Sequence, residues 1–390
     1  MAIYHSTPFK RSRIAVSSVF FANGLLVGCW ALLVPVVIAN LSITESVMGL
    51  IILAGGACAI AALVVSSSII NEFGVRAVII AAALALAPAL FLLQQADSLW
   101  MALIYFICFM TALACQDVAM NANAAELEYT AKRPIMSAFH GFWSAGAMTG
   151  AMAGGSLILL LGSPLFAALA GALALVLVLA GSSSLEPRVQ QASGPAAMPK
   201  LLPRQWLPWL FGLIAFAGFV SEGAVIDWSA QFFRAELDSG VSLSGFAFGG
   251  FSLSMMLSRF VGDRMRHAFG DRRLFAASVL VACLGLLFAT LANSPLLASV
   301  GFFLAGFGNA NLVPIAFSAA AAIKGLPRGM GIATATLCGY SGLLAAPASL
   351  GFIGHHFGFR LVFLLMAVLL LLLLFLAPMV GRNTGKQISR

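Results

Sequence analysis

The sequence predicts an all-α membrane protein with twelve transmembrane helices arranged as two pseudo-symmetric six-helix bundles. Three observations carry this. First, 61% of the 390 residues are hydrophobic and only 9% are charged, with a mean hydropathy of +1.02, where an ordinary soluble domain is roughly 25% charged. Too little polar surface exists to cover a particle in water, so most of the outside must face a lipid bilayer. Second, several apolar runs exceed the ~18 residues needed to cross ~30 Å of hydrocarbon, and none shows the ~10-residue alternation of a spanning barrel strand. Third, shifting the chain by 196 positions brings Gly74-Val-Arg76 onto Gly270-Asp-Arg272 and Ala96-Asp-Ser98 onto Ala292-Asn-Ser294. The same shift puts Lys132 on Arg328 and Gly162 on Gly358.

Apolar runs bounded by turn and charge signals define the spans in order. In the first half they cover residues 14–39, 46–70, 75–95, 98–128, 134–161 and 164–183. In the second half they cover 205–232, 242–262, 272–292, 295–322, 328–354 and 359–380. The first follows Lys10, Arg11 and Arg13 and runs on past Pro35, as an uncleaved span does and a signal peptide does not. Residues 184–204 carry four of the fifteen prolines in the longest polar stretch of the chain, and read as a linker. The predicted organisation is therefore an amino-terminal bundle over 1–183, a linker over 184–204 and a carboxy-terminal bundle over 205–390.

With these spans, nineteen of the 21 basic residues fall on one side, Arg259, Arg264, Arg266, Arg272 and Arg273 among them; only Arg234 and Arg360 fall on the other. The positive-inside bias makes the first side cytoplasmic, with both termini inside. The net charge of +8 is thus a topology signal. Its short clusters lack the continuous basic face that nucleic-acid binding needs. The six cysteines all lie within apolar runs without CxxC or zinc spacing, and read as small core residues.

The loop after the eighth span, Arg259-Phe-Val-Gly-Asp263-Arg264 followed by Phe269-Gly-Asp271-Arg272-Arg273, resembles the acidic-basic loop of the major facilitator superfamily; the first-half copy, Asn71-Glu72-Phe73-Gly74-Val75-Arg76, is degenerate. Three stretches resemble the superfamily's fucose/galactose/glucose proton symporter-like branch. They are Phe20-Phe-Ala-Asn23-Gly24 running to Pro35, Asp117-Val-Ala-Met-Asn121, and Asn309-Ala-Asn311-Leu-Val-Pro314-Ile-Ala-Phe317-Ser318. Ser137-Ala-Phe-His140-Gly and Glu222-Gly-Ala-Val-Ile-Asp227-Trp228 resemble uncharacterised bacterial relatives of that branch. The chain departs from the sugar symporters at Trp30-Ala31, where they carry Asn-Asp. The resemblance implies transport by alternating access, with Asp263, Arg264, Asp271 and Arg272 in a gating loop.

An ionisable group at the centre of a span costs ~2.5–3.5 kcal/mol or more, so those present usually face a wet cavity or a partner. Asp117 lies about 27 Å along the fourth span, with Asn121 on the same face four residues on. A carboxylate that can take a proton beside an amide that can hold a hydroxyl suits a transport site; an interhelical hydrogen bond is the plainer alternative. Glu222 lies about 24 Å along the seventh span, and Asp227 about 8 Å further out points elsewhere. Glu222 is therefore the expected cavity residue and Asp227 the expected rim partner of Arg234. His140 reads as a proton relay or as a structural histidine. Glu126 and Glu128 read as an ion-pair cluster with Lys132 and Arg133. Asn23, Asn309 and Asn311 read equally as cavity ligands or interhelical ties. Trp30 and Trp143 read as stacking surfaces for a ligand or as filling between helices. The small residues Gly146, Gly150 and Gly154 place a close helix crossing on one face.

No nucleotide loop, zinc motif or heme-attachment sequence is found, so no cofactor is expected beyond the proton as coupling ion. The loops are too short for an enzyme's catalytic set or a receptor's exposed domain. The expected activity is secondary active transport of a small polar, sugar-like solute by a monomer in a bacterial inner membrane, with proton symport ahead of proton-antiport export of drugs or metabolites.

Overall fold

The computed structural model describes residues 7–132, 135–188, 203–323, 325–326 and 330–380, apart from the side chain of Asp263. Twelve helices among these are long and apolar enough to cross a membrane, and no strand is present among the described residues. The first half contains α1 (Thr7–Leu41), α2 (Glu45–Phe73), α3 (Val75–Gln94), α4 (Leu99–Ala131), α5 (Met136–Leu161) and α6 (Ser163–Gly181). The second contains α7 (Leu207–Glu236), α8 (Val241–Phe269), α9 (Asp271–Leu291), α10 (Pro295–Asn309), α11 (Leu312–Ala321), α12 (Met330–Phe357) and α13 (Phe359–Leu372). Most of the 184–204 linker, together with Arg133, lies outside the described residues.

The tenth span is broken where the sequence predicts one continuous helix. Pro314 has no N–H to offer the carbonyl of Ala310, and its ring crowds that position. The amides on either side find partners elsewhere: Asn309 Nδ2 donates to the Gly218 carbonyl at 3.2 Å, and Asn311 Nδ2 donates to the hydroxyls of Ser258 and Ser278, each at 3.2 Å. α10 and α11 are the two halves of that span.

The repeat survives in the local structure. Single glycines with positive φ join consecutive helices at Gly74, Gly162, Gly270 and Gly358, with φ of 86°, 78°, 73° and 87°. A side chain at such angles is strained, so glycine is required where one residue must reverse the chain. Ser98 and Ser294, also equivalent under the repeat, both cap a helix, accepting from Met101 N and Leu297 N at 3.4 Å.

One of the close crossings is α1 on α5. A Cβ added at Gly24 or Gly28 would stand 2.0 or 2.1 Å from the carbonyl oxygens of Trp143 or Ala147, and one at Gly146 would stand 2.0 Å from that of Phe21. Backbone packs directly on backbone, as the small-residue spacing predicts. One other expectation changes, and one gains a detail. Glu128 Oε2 accepts from the backbone N–H groups of Ile135 and Met136 at 2.6 and 2.7 Å and so caps the entry to α5. Among the cysteines, Cys29 and Cys283 are buried but Cys108 is exposed on the outside of its span.

The first six spans pack among themselves, as do the last six, and the two sets meet along a seam. At the seam α5 packs on α8, α2 on α12 and α1 on α7. With an even number of spans, the described chain starts and ends on one face, here termed the terminal face.

Candidate functional site

The polar groups of the spans converge on the seam, and its two ends differ. On the face away from the termini, Glu45 at the start of α2 reaches across to the second half. Its Oε1 accepts from Gln231 Nε2 at 2.8 Å, and its Oε2 meets His355 Nδ1 at 2.8 Å. Beneath that latch, Trp30 Nε1 donates to Asp227 Oδ1 at 3.2 Å, joining α1 to α7. Gly49 and Gly351 bring α2 and α12 together in the same layer, with added Cβ atoms 2.7 Å from Pro347 O and 2.6 Å from Glu45 O. Toward the terminal face, α4 packs on α1, α2, α3 and α5, and α11 on α7, α9, α10 and α12; neither packs substantially across the seam.

Asp227 is thus not the rim partner of Arg234. It is 7% exposed and sits in the closed part of the seam. Trp30 is equally enclosed: its ring lies 4.4 Å from that of Phe106 and 6.3 Å from that of Phe109, centroid to centroid, so it belongs to the closed seam and not to an open ligand surface.

Asn23 serves as a tie between helices. Its Nδ2 donates to Gln116 Oε1 at 3.1 Å on α4, and its Oδ1 accepts from Trp143 Nε1 at 2.9 Å on α5. Gln116 escapes sequence reading because the neighbouring Asp117 is the costlier group. The bonds of Asn309 and Asn311 described above make them ties as well.

Asp117 and Asn121 share a face of α4, as their spacing predicts. The Asn121 amide donates to Asp117 Oδ1 at 3.3 Å and to the Asp117 carbonyl at 2.9 Å. Both are half-buried, and no cation bonds to Asp117 among the described residues. The half-buried rings of Phe219 and Tyr340 stand 5.5 Å apart on the other half.

The residue that sequence reading misplaces is Arg259. It counts there as a basic marker of the membrane edge, but α8 continues for ten residues beyond it, to Phe269. Its guanidinium crosses the seam, where Nη1 donates to Ser144 Oγ at 2.6 Å and to the His140 carbonyl at 3.4 Å. Nη2 lies 3.9 Å from Glu222 Oε1. Glu222 therefore faces the seam as expected, but with a cation beside it. His140 offers its carbonyl there, while its imidazole stands edge-on to Phe20 at 5.3 Å between centroids. Among the described residues the interiors of the spans hold three carboxylates, Asp117, Glu222 and Asp227, and this one guanidinium.

Of the expected gating-loop residues, three have described side chains. Asp271 pairs in two-pronged fashion with Arg266, at 2.8 and 3.0 Å, while Arg264 and Arg272 are exposed. The side chain of Asp263 lies outside the described residues. No group of three or more His, Cys, Asp or Glu among the described residues is placed to hold a metal ion.

The Major Facilitator Superfamily profile matches residues 210–389. An uncharacterised MFS-type transporter of Yersinia pestis is 32% identical over 370 residues, covering 93% of this chain and 94% of that protein. Membrane protein MosC of Rhizobium meliloti is 31% identical, covering 91% and 86%. Among solved structures, the nucleoside transporter NupG superposes with a TM-score of 0.70 at 13% identity, covering 97% of this chain and 100% of that one. A bacterial homolog of the human lysosomal transporter Spinster, inward-facing and occupied, superposes with a TM-score of 0.71 at 15% identity, covering 97% and 98%. With twelve spans in this fold and full-length relatives above 30% identity, the chain belongs to the major facilitator superfamily of membrane transporters.

Proposed function

We propose that this protein is a proton-coupled symporter of a small polar, sugar-like solute, working by alternating access as a monomer in a bacterial inner membrane with both termini cytoplasmic. The observation that carries the reading is the one-sided closure of the seam. Glu45, Gln231, His355, Trp30 and Asp227 hold the two halves together on one face, while α4 and α11 stay apart toward the other. That asymmetry supports one state of a rocking cycle, with the halves less tightly joined toward the terminal face. The halves that rock are 1–183 and 205–390, joined by 184–204. The nineteen-to-two charge bias supports a cytoplasmic terminal face, and the three helix stretches described above support a place in the fucose-permease-like branch.

Asp117 is the proton site in this reading. It is a carboxylate on the seam with only an amide for a partner, so a proton offsets the cost of holding it away from water. Asn121 beside it serves a solute hydroxyl, and Glu222 and His140 complete the polar lining. The test is uptake into proteoliposomes of radiolabelled L-fucose, D-galactose, D-glucose and D-gluconate under an imposed inward-acid gradient. At least one of these solutes should accumulate above equilibrium and lose that accumulation with a protonophore. Accumulation of none would overturn the reading.

A further inference from the structure

Arg259 carries more than the transport reading uses. Its Nη1 is committed to Ser144 Oγ at 2.6 Å and to the His140 carbonyl at 3.4 Å, and these two bonds fix the plane of the guanidinium. The other edge is open. Nη2 approaches Glu222 only to 3.9 Å, beyond hydrogen-bond reach, and Nε donates to nothing among the described residues. The Arg259 and Glu222 side chains are 18% and 16% exposed, so this edge looks into the seam and not into packed core. Two parallel N–H donors on a rigid fork match the two oxygens of a carboxylate, which a neutral sugar does not supply.

We propose that the open Nε/Nη2 edge of Arg259 binds the carboxylate of the transported solute, making the substrate class a polyhydroxylated monocarboxylate of the aldonate or uronate type. This rests on the transport reading above. It also gives Glu222 a role in affinity. When the solute carboxylate docks, two anions share one guanidinium, so the site tightens as falling pH neutralises Glu222. The proton that travels with the solute is the one on Asp117. One anion therefore moves with one proton and no net charge is carried. The other ionisable groups of the seam are His140 on α5, Asp117 on α4, Tyr340 on α12, and Asp227 on α7 with Glu45 and His355 beyond it. None has its side chain bonded to Arg259 or Glu222 among the described residues.

The experiment compares matched solutes on the purified protein by thermal shift at constant ionic strength: D-gluconate and D-glucuronate against D-glucitol and D-glucose. Gluconate or glucuronate should raise the melting temperature, and the neutral partners should not. Arg259→Lys, which keeps the charge but loses the fork, should weaken apparent carboxylate affinity at least tenfold. Glu222→Gln, which leaves Arg259 in place and removes the competing anion, should bind the carboxylate as tightly or more tightly and with a flatter pH profile. That variant also keeps the test decisive should Arg259→Lys fold poorly. In proteoliposomes, uptake of the carboxylate should follow the pH gradient and ignore a potential set by valinomycin. Stabilisation by glucose or glucitol, with Arg259→Lys unaffected, overturns the anion assignment and leaves the transport reading standing. Failure of all four solutes to bind or accumulate overturns the anion assignment too, and failure of fucose and galactose as well removes the transport reading.

Discussion

Replacing Trp30 by Phe isolates one hydrogen bond of the closed seam. The phenyl ring keeps most of the contact with Phe106 at 4.4 Å, but the donor to Asp227 Oδ1 at 3.2 Å is lost. Asp227 is 7% exposed and accepts no other hydrogen bond among the described residues, so water does not readily replace the indole while the seam is shut. Leaving a buried acceptor unsatisfied costs about 1–3 kcal/mol, which shifts the balance between seam-closed and seam-open states by about 5- to 150-fold. The readout is the distance between spin labels at Asn40 and Ala235, exposed near the outer ends of α1 and α7, in a background with all six cysteines replaced. Trp30→Phe should enlarge the long-distance population by at least fivefold. Asp227→Asn keeps an acceptor oxygen but removes the charge, so it should favour the closed seam. In its presence the effect of Trp30→Phe should shrink, because the group left without a donor is then neutral. An unchanged distance distribution in Trp30→Phe, or an equal shift in both backgrounds, would refute the reasoning.

Asp117→Asn should abolish accumulation driven by a pH gradient in proteoliposomes while leaving energy-independent exchange. A variant that still concentrates solute would move the coupling site to Glu222 or His140. Gly146→Leu should prevent stable assembly, because even a Cβ there meets the Phe21 carbonyl at 2.0 Å and overpacking of this kind costs about 1–3 kcal/mol or more. Gly56→Ala, whose nearest neighbour would be 3.9 Å away, should leave the melting temperature within a degree or two of wild type as its control. Reporters fused after Arg390 and within residues 188–200 should both read as cytoplasmic, and an external reading at either place would reverse the orientation.

The spans were legible because crossing a bilayer demands long apolar runs, and the loops because glycine and serine signals recur at equal rank in the two halves. The break at Asn309-Ala310-Asn311 was not. Pro35, Pro88 and Pro347 all lie inside unbroken helices, so a proline alone does not mark a break. What distinguishes Pro314 is that the amides upstream have partners on α7, α8 and α9, and those are visible only in three dimensions. The site divides the same way. Spacing along one helix brought Asp117 and Asn121 together, since both sit on α4. Partnerships between distant spans were hidden: Trp30 with Asp227, Glu45 with His355, and Arg259 with Ser144 and Glu222. Arg259 was lost for a further reason, that a basic residue three places before the predicted end of a span reads as an edge marker until the helix is seen to continue.

The single-glycine joints at Gly74, Gly162, Gly270 and Gly358 have a mechanical consequence. A helix tethered by one residue has no slack with which to slide along its neighbour, so in the rocking cycle proposed above these helix pairs turn together as a stiff lever. The fulcrum of that proposed motion is the pair α5 and α8, which are in contact from Gly155 against Ser242 near one face to Ser137 bonded to the Arg259 carbonyl near the other. Torque applied at either mouth is then delivered to the opposite mouth instead of being absorbed within a bundle. A flexible insertion at any of these four joints would act as a slipping clutch, sparing solute binding while disconnecting it from movement.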